Sequence, residues 1–281
     1  MIINAGLYSF KLHTATQQAL INANTIYGDA PNVDRADFSI SLKTESYIRR
    51  WIRPQIKFFA DASSPFKPMP RSQAYPLLEW GMNWCISAHV FDHLLLHAAV
   101  LVKNNKAIIF PALPGSGKST LSAFLGLSGW TVYSDEMAVI DFQTYTVRPL
   151  YRPVCLKNNS IDIIEKRFPT ATVTPRCFDT IKGTVAHVKT LKWSDYARLE
   201  SVPIAAVVFP QYEKNAQTSI TLVNQTDTFQ YLVDNAFNYH VLGETGFCAL
   251  SGVLEKASTY SAVYSDLADI ASFLDNEVCS Q

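Results

Sequence analysis

A glycine-rich stretch near the middle of the chain has the residue types that hold a polyphosphate. It follows an apolar run and reads Ala112-Leu-Pro-Gly-Ser-Gly-Lys-Ser119. Gly115 and Gly117 lack a Cβ atom, so the backbone can curl there and point its N–H groups at phosphate oxygens. Lys118 supplies a mobile positive charge, and the Ser119 hydroxyl can bind magnesium. The stretch therefore predicts a site for a nucleoside triphosphate.

The elements on either side of this loop are those that phosphate binding requires. A strand is predicted over residues 106–110, and a helix begins near Lys118, which brings free N–H groups and the positive end of the helix dipole to the loop. The common loop pattern has Gly where this chain has Ala112, which costs only turn freedom at the exit from the strand. We predict that nucleotide contacts come from Pro114, Gly115, Ser116, Gly117, Lys118, Ser119 and Thr120.

Two adjacent acids follow the next predicted strand, at residues 130–133. Asp135 and Glu136 stand at its carboxyl end, where α/β proteins open the crevice that binds their ligands. One carboxylate could accept a proton from an attacking hydroxyl, and the other could hold a metal. A solvated turn is the alternative interpretation, and spacing alone does not separate the two.

Composition excludes several classes of protein. The formal net charge of the 281 residues is zero, so the chain lacks the basic surplus that holds nucleic acid or an anionic membrane. The five cysteines are scattered without a C-x-x-C pair, which argues against zinc and a disulfide framework and favours a reducing compartment. With no predicted signal peptide or membrane span, we expect a cytoplasmic protein that binds neither membrane nor nucleic acid.

Hydrophobic periodicity predicts an α/β protein with two parts. Residues 1–70 form a small α+β region, and three prolines within 63–70 predict a linker before a larger domain at 71–281. Predicted helices cover residues 15–24, 73–87, 160–167, 226–236 and 262–275. Predicted strands cover residues 37–42, 55–59, 94–102, 106–110, 130–133, 138–140, 145–148, 185–188 and 203–209.

Further motifs accompany the loop along the chain. They are His97-Ala-Ala-Val100, Gly129-Trp130, Ser134-Asp-Glu136, Arg152-Pro-Val-Cys-Leu-Lys-Asn158, Lys182-Gly-Thr-Val-Ala-His187 and Phe237-Asn-Tyr239. In this order and spacing they resemble the core of the HPr kinase/phosphorylase family, and most closely its branch of HPr-kinase-related kinases. The resemblance covers roughly residues 75 to 265. The combination of motifs is specific for the family. Of the single motifs, only the loop is specific.

The resemblance implies a fold with a mixed sheet, like that of phosphoenolpyruvate carboxykinase, and an ATP- and magnesium-dependent kinase. It implies that Asp135 is the base toward a serine hydroxyl, that Glu136 binds the metal together with Ser119, and that His97 lies close to the phosphates. Without the resemblance, His97 would be interpreted as a core histidine. The branch is associated with peptide-modification systems, which favours a protein or peptide substrate. HPr kinases are hexamers, so a homo-oligomer is compatible with the resemblance.

One departure from the family concerns the metal. Thr180-Ile-Lys-Gly183 stands where the family has Glu-Ile-Arg-Gly, so the acid that helps to bind magnesium is missing. The metal would then depend on Ser119, Glu136 and phosphate oxygens, or on a nearby group such as Asp179. This departure argues against reverse phosphorylase activity more than against kinase activity.

Other residues allow more than one interpretation. Candidate cations around the moving phosphoryl group are Lys118, Arg152, Lys157 and Lys182. His187 and the aromatic segment Phe237-Asn-Tyr239 are expected to be structural. Two other functions remain open: a nucleotide-binding regulatory module without transfer chemistry, and a kinase for a small molecule.

Overall fold

The chain forms two compact units, and each is assembled from two separate stretches of sequence. A computed structural model describes residues 1–44, 53–111 and 115–278. Unit 1 comprises Met1–His89 and Leu150–Ala197, and unit 2 comprises Val90–Pro149 and Arg198–Gln281. The mixed α/β class expected from the sequence is confirmed. No helix in the described ranges is long and apolar enough to cross a membrane.

The division into units does not follow the boundary expected at residue 70. Met69–Pro70 forms a short edge strand that pairs with Gln55 and Ile56, and a 3-10 turn, Arg71–Gln73, leads directly into the next helix. An edge strand tolerates proline because its free N–H side needs no partner. The prolines therefore end a sheet inside unit 1 instead of separating two domains.

Unit 1 contains two sheets and four helices in its described part. Its elements are β1 (Ile2–Asn4), β2 (Ser9–Thr14), α1 (Gln17–Tyr27), β3 (Phe38–Lys43), β4 (Gln55–Ala60), β5 (Met69–Pro70), α2 (Ala74–His89), β12 (Val154–Lys157), α4 (Asn159–Arg167), β13 (Thr172–Val173), β14 (Cys177–Thr180), β15 (Gly183–Lys189) and α5 (Trp193–Tyr196). The first five strands form one sheet in sequence order, with only β2 and β3 parallel. The second sheet has β15 paired with β12, β13 and β14. Helix α2 packs against α1 and β4.

A buried ion pair lies in unit 1 between Arg152 and Glu79. The Arg152 Nη2 atom is 2.7 Å from the Glu79 Oε2 atom, and their side chains are only 6% and 4% exposed. The Tyr27 hydroxyl donates to both carboxylate oxygens at 3.1 Å. We expected Arg152 among the cations around a transferred phosphoryl group. Its charge is instead neutralised by Glu79 inside unit 1.

Unit 2 contains one nine-stranded sheet in its described part. Its elements are β6 (Leu94–Leu96), β7 (Ala98–Lys103), β8 (Lys106–Pro111), α3 (Lys118–Leu127), β9 (Thr131–Ser134), β10 (Ala138–Ile140), β11 (Thr146–Arg148), β16 (Val202–Tyr212), β17 (Ser219–Leu222), α6 (Gln225–Asp234), α7 (Tyr239–Leu242), α8 (Glu244–Leu254), β18 (Ser258–Tyr264), α9 (Leu267–Phe273) and a π-helical segment, Leu274–Val278. The long strand β16 pairs with β11 at its start, with β8 alongside, and with β18 toward its end.

Strand directions in unit 2 bring four carboxyl ends to one edge of the sheet. Strands β8, β16 and β18 are parallel. Strand β7 runs antiparallel to both β8 and β9, so β9 has the same direction as β8. The turn between β7 and β8 has Asn104 and Asn105 at positive φ, as a tight two-residue hairpin requires. The segments that follow β8, β9, β16 and β18 therefore start from the same edge.

The predicted elements near the loop are confirmed, whereas the last predicted helix is partly wrong. Residues 262–264 belong to β18, and helix α9 begins only at Leu267. Asp266 caps that helix, because its side chain accepts a hydrogen bond from the Ala268 N–H. The preceding residues are rich in Tyr, Thr and Val, which favour strands, and β18 gains a parallel partner in β16.

We predict that Arg152→Met lowers the free energy of unfolding by about 3–5 kcal/mol, because it leaves the Glu79 carboxylate buried without a counter-charge. Urea unfolding followed by circular dichroism measures the loss. The double variant Glu79→Leu/Arg152→Met should recover much of it, because no buried charge remains. If the single variant matched the wild type, the ion pair would have no structural role.

Candidate functional site

The glycine loop leaves the sheet edge after β8 and enters helix α3. Gly115 and Gly117 have φ values of 93° and 90°, a left-handed conformation that glycine adopts without a steric penalty. Gly117 precedes the first helical residue, Lys118, and Ser119 and Thr120 lie in the first turn. The backbone N–H groups of this turn are therefore available to an anion. Ala112 and Pro114 lie outside the described residues.

Two tyrosines from neighbouring strand ends contact the loop. The Tyr212 N–H, at the end of β16, donates to the Ser116 carbonyl at 2.9 Å. The Tyr264 hydroxyl, at the end of β18, lies 3.0 Å from the position that a Cβ atom on residue 117 would occupy. Any side chain at Gly117 would therefore displace one of these tyrosines.

Three buried side-chain donors around the loop have no hydrogen-bond partner in the described part of the chain. They are the Ser116 hydroxyl, the Lys118 ammonium and the Tyr264 hydroxyl. Burial raises the pKa of the Tyr264 phenol, and the neighbouring Tyr212 adds to the rise, so Tyr264 stays protonated as a donor. Buried donors are rarely left unsatisfied in folded proteins, because each one costs desolvation energy. Their convergence at a glycine loop fits a bound polyphosphate.

Asp135 lies buried directly after β9 and interacts with the start of α3. Only 1% of the Asp135 surface is exposed. Burial raises the pKa of its carboxyl; the Lys118 ammonium opposes this rise, and the Glu136 carboxylate adds to it. Hydrogen bonds with the hydroxyls of Ser119 and Ser122 also lower the pKa. The carboxyl group is therefore tied to the lysine and the serine of the loop.

The Ser122 hydroxyl has two acceptors and only one proton. It donates to the Lys118 carbonyl at 2.9 Å, and it also hydrogen-bonds with Asp135. A hydroxyl can accept as well as donate, so a protonated Asp135 could donate to Ser122 while Ser122 keeps its bond to the backbone. Both hydrogen bonds of Ser122 can thus form at once when Asp135 is protonated.

His97 and Glu136 form a second, more accessible pair at the same edge. His97 immediately precedes β7, whose first residue, Ala98, pairs with Pro111 at the end of β8. The His97 Nε2 atom is 3.2 Å from the Glu136 Oε2 atom, and the side chains are 32% and 24% exposed. This pair can exchange a proton with a group arriving from solvent, which the buried Asp135 cannot do as readily.

The donor set fits a magnesium ion that is held jointly with a nucleotide. No group of three or more His, Cys, Asp or Glu side chains in the described residues could hold a metal unaided. Magnesium is commonly held by one or two carboxylates together with substrate phosphates and water. Ser119 and the adjacent Asp135 meet that need, with Glu136 next in the chain. The residues present therefore fit the ion.

Several motif residues of unit 1 have structural partners instead. The motifs that contain Lys157 and His187 form β12 and β15, which pair antiparallel, with Cys155 opposite His187. The ring of His187 packs edge-on against Tyr75 at 5.0 Å, which confirms the structural interpretation. The ammonium of Lys182 lies 5.1 Å from the centre of the Trp80 ring.

Thr180, where the resemblance would lead one to expect an acid, belongs to a turn. The Thr180 hydroxyl donates to the Gly183 carbonyl at 2.6 Å and accepts from the Lys182 N–H at 3.1 Å. The neighbouring Asp179 has a positive φ, and its backbone carbonyl accepts from Gln73 at 2.7 Å. Thr180 therefore closes the β14–β15 hairpin.

Sequence reasoning missed three residues at the site. Ser122 is one helical turn beyond Lys118, and this i, i+4 spacing was a signal that it faces the same side as the loop lysine. Tyr264 was assigned to a helix, so its approach to the loop could not be seen. Phe237 was expected in the core, yet it is 44% exposed and lies 5.8 Å from the His97 ring.

Comparison with known proteins adds no assignment. No protein-family model matches the chain, and no curated protein matches it significantly.

We predict that Tyr264→Phe weakens ATP binding by about tenfold, because a hydrogen bond to a charged oxygen is lost. The variant should not be less stable without nucleotide, since the removed hydroxyl has no partner within the described chain. Isothermal titration with ATP and magnesium, together with thermal unfolding, measures both effects. Unchanged affinity would remove Tyr264 from the site.

Tyr133→Phe is the matched control. Its hydroxyl donates to the Glu200 carbonyl at 2.8 Å, so this variant should lose about 1 kcal/mol of stability and keep its affinity for ATP.

We predict that Asp135→Asn stabilises the protein without nucleotide at pH 7–8. The folded-state pKa of Asp135 is raised above an unfolded value of about 4, so the folded state holds this proton more tightly. The wild type therefore loses stability relative to the variant as pH rises from about 4 through the folded pKa. Melting temperatures of both proteins between about pH 4.5 and 8 test this. The advantage of the variant over the wild type should grow as pH rises, and an advantage that shrinks would contradict the prediction.

Asp141→Asn is the control of opposite sign. Backbone hydrogen bonds from Thr144 and Gln143 lower the pKa of Asp141. That carboxylate stabilises the fold above its unfolded pKa and loses this effect as pH falls. The variant should therefore be less stable than the wild type at neutral pH.

Proposed function

We propose that this protein is an ATP-dependent kinase that transfers the γ-phosphoryl group to a hydroxyl, most suitably a serine of a peptide or protein. One observation carries the proposal. The three unpartnered buried donors at the loop, Ser116, Lys118 and Tyr264, lie beside a carboxylate pair at one sheet edge. The donors suit the phosphates of ATP, and the carboxylates suit the proton that an attacking hydroxyl must lose.

At the donor end, the chain binds and orients ATP. The N–H groups around Gly115 and Gly117 and the N-terminus of α3 face the phosphates, and the Lys118 ammonium compensates their charge. The Tyr264 hydroxyl donates to a phosphate oxygen. Because these donors are held in place before ATP binds, little reorganisation is needed during transfer.

At the acceptor end, the contacts favour Glu136 as the base and Asp135 as the partner of Ser119. This division reverses the roles that the resemblance implied. Glu136 is partly exposed beside His97, whereas Asp135 is buried and bonded to the loop serine. The acceptor O–H gives its proton to Glu136 while its oxygen forms a bond to the γ-phosphorus. The bond from that phosphorus to the bridging oxygen breaks, and ADP leaves with the electron pair.

Magnesium, when bound with ATP, would neutralise charge on the β- and γ-phosphates. Ser119 and Asp135 are the residues best suited to hold it, and Glu136 is the other carboxylate within reach of Asp135.

The resemblance to HPr-kinase-related kinases agrees with this proposal. The mixed sheet of unit 2, with antiparallel β7 between β8 and β9, supports a core like that of phosphoenolpyruvate carboxykinase. A cytoplasmic location and assembly as a homo-oligomer belong to the same proposal. Reverse phosphorylase activity is not part of it, because Thr180 supplies no carboxylate.

We predict that the purified protein, with ATP and magnesium, phosphorylates serine in a panel of short peptides, including those encoded beside its gene. Mass spectrometry identifies the modified residue. Glu136→Gln should lower kcat by about 100-fold or more, because it removes the base. Asp135→Asn should mainly raise the KM for magnesium-ATP. The reverse pattern would return the base to Asp135.

A regulatory module that binds nucleotide without transfer is the second candidate. The observation in its favour is the Thr180 turn, which uses its hydroxyl for backbone contacts. Tight ATP binding without transfer to any peptide or metabolite would support this function over the kinase.

A further inference from the structure

Phe237 is an exposed aromatic ring next to the accessible acid–histidine pair. Phe237 is 44% exposed, and the centre of its ring lies 5.8 Å from the centre of the His97 ring. The His97 Nε2 atom also lies 3.2 Å from the Glu136 Oε2 atom. The Phe237 ring is therefore open to a ligand that reaches the His97–Glu136 pair.

The backbone of Phe237 is fixed along the strand that leads to His97. The His97 N–H donates to the Asn235 carbonyl at 2.8 Å, and the Phe237 N–H donates to the Leu95 carbonyl at 2.9 Å. Residues 235–237 thus extend the sheet alongside β6. The ring is presented from a hydrogen-bonded segment and not from a free loop.

Asn238 holds this segment in place. It is 1% exposed, and its amide oxygen accepts from the Leu95 N–H at 3.0 Å. Its amide nitrogen donates to the carbonyls of Val90 at 3.1 Å and His93 at 2.8 Å. A fully satisfied buried amide of this kind fixes the local backbone. The Phe237-Asn238 pair therefore combines an anchor with an exposed ring.

We propose that Phe237 contacts the acceptor peptide, packing against an apolar side chain next to the phosphorylated serine. This inference rests on the proposed kinase function and names its substrate class: serine peptides with an apolar neighbour.

The position of Phe237 in the chain of contacts favours the acceptor over the nucleotide. Contacts lead from the loop at Ser119 to Asp135, on to its neighbour Glu136, then to His97 and finally to Phe237. The loop holds the phosphates, and the base marks where the acceptor hydroxyl must lie. The ring beyond the base is thus beside the residues that flank this hydroxyl. The Glu136 carboxylate also disfavours acidic residues at that place.

Peptide pairs that differ only in the residue next to serine, leucine or glycine, test the proposal through kcat/KM. Wild type should prefer leucine by about tenfold, a typical discrimination for an apolar pocket. Phe237→Ala should reduce this ratio to about one, and Phe237→Leu should keep most of it. The ratio is expected to stay unchanged in Leu222→Ala, which removes an apolar side chain that is 78% exposed on β17.

Each result decides one of the two claims. A wild type without a preference, or a preference that survives in Phe237→Ala, overturns the role of Phe237 and leaves the kinase intact. No transfer to any peptide overturns the kinase. In that case, fluorescence anisotropy of the labelled leucine peptide decides the remaining question: equal affinity for wild type and Phe237→Ala overturns the contact, and weaker binding by the variant supports it.

Discussion

The site depends on the placement of a buried ammonium beside a buried carboxyl group. Lys118 and Asp135 come from different elements, the start of α3 and the end of β9, and the lysine charge lowers the pKa of the Asp135 carboxyl against the effect of burial. The lysine nitrogen still has no hydrogen-bond partner among the residues described. A buried charge in this state is costly unless something else compensates it. In the kinase that we propose, the phosphates of ATP supply this compensation.

The directions of the strands make this arrangement possible. The parallel strands β8, β16 and β18 bring the loop, Tyr212 and Tyr264 together at their carboxyl ends. Strand β7 is antiparallel to β8, so its amino end, which follows His97, lies at the same edge. A mixed sheet can thus place the start of one strand among the ends of its neighbours. This is how a histidine that precedes a strand comes to lie beside acids that follow one.

The motifs of unit 1 serve its own folding in the observed contacts. Arg152 is paired with Glu79, and Lys182 lies over the Trp80 ring. Asn158 accepts a hydrogen bond from the Thr184 N–H and so joins β12 to the start of β15. A recurring motif can therefore mark a structural pairing as readily as a catalytic group, and sequence alone does not tell these apart.

Local signals predicted much of the site, and distant contacts account for what they missed. The glycine loop, its helix and the acids after β9 follow from short patterns, since turns and strand ends depend on neighbouring residues. Three features depend instead on partners far along the chain. The predicted strand 94–102 is interrupted at His97, and its first part pairs with β10. Residues 262–264 form a strand because they pair with β16, and Phe237 is held by a hydrogen bond to β6. Burial was also undetermined, so the sequence could not distinguish Asp135 from Glu136.

The interleaving of the two units constrains how the protein can fold during synthesis. The loop and β8 leave the ribosome early, but β16, which pairs directly with β8, follows only after the second segment of unit 1 has been made. Because domains tend to fold as complete units while the chain emerges, neither unit can close on its first segment alone. Until Tyr212 and Tyr264 arrive, the loop lacks the neighbours that hold it in the finished protein. The proposed phosphate site is thus among the last parts of the molecule to be completed.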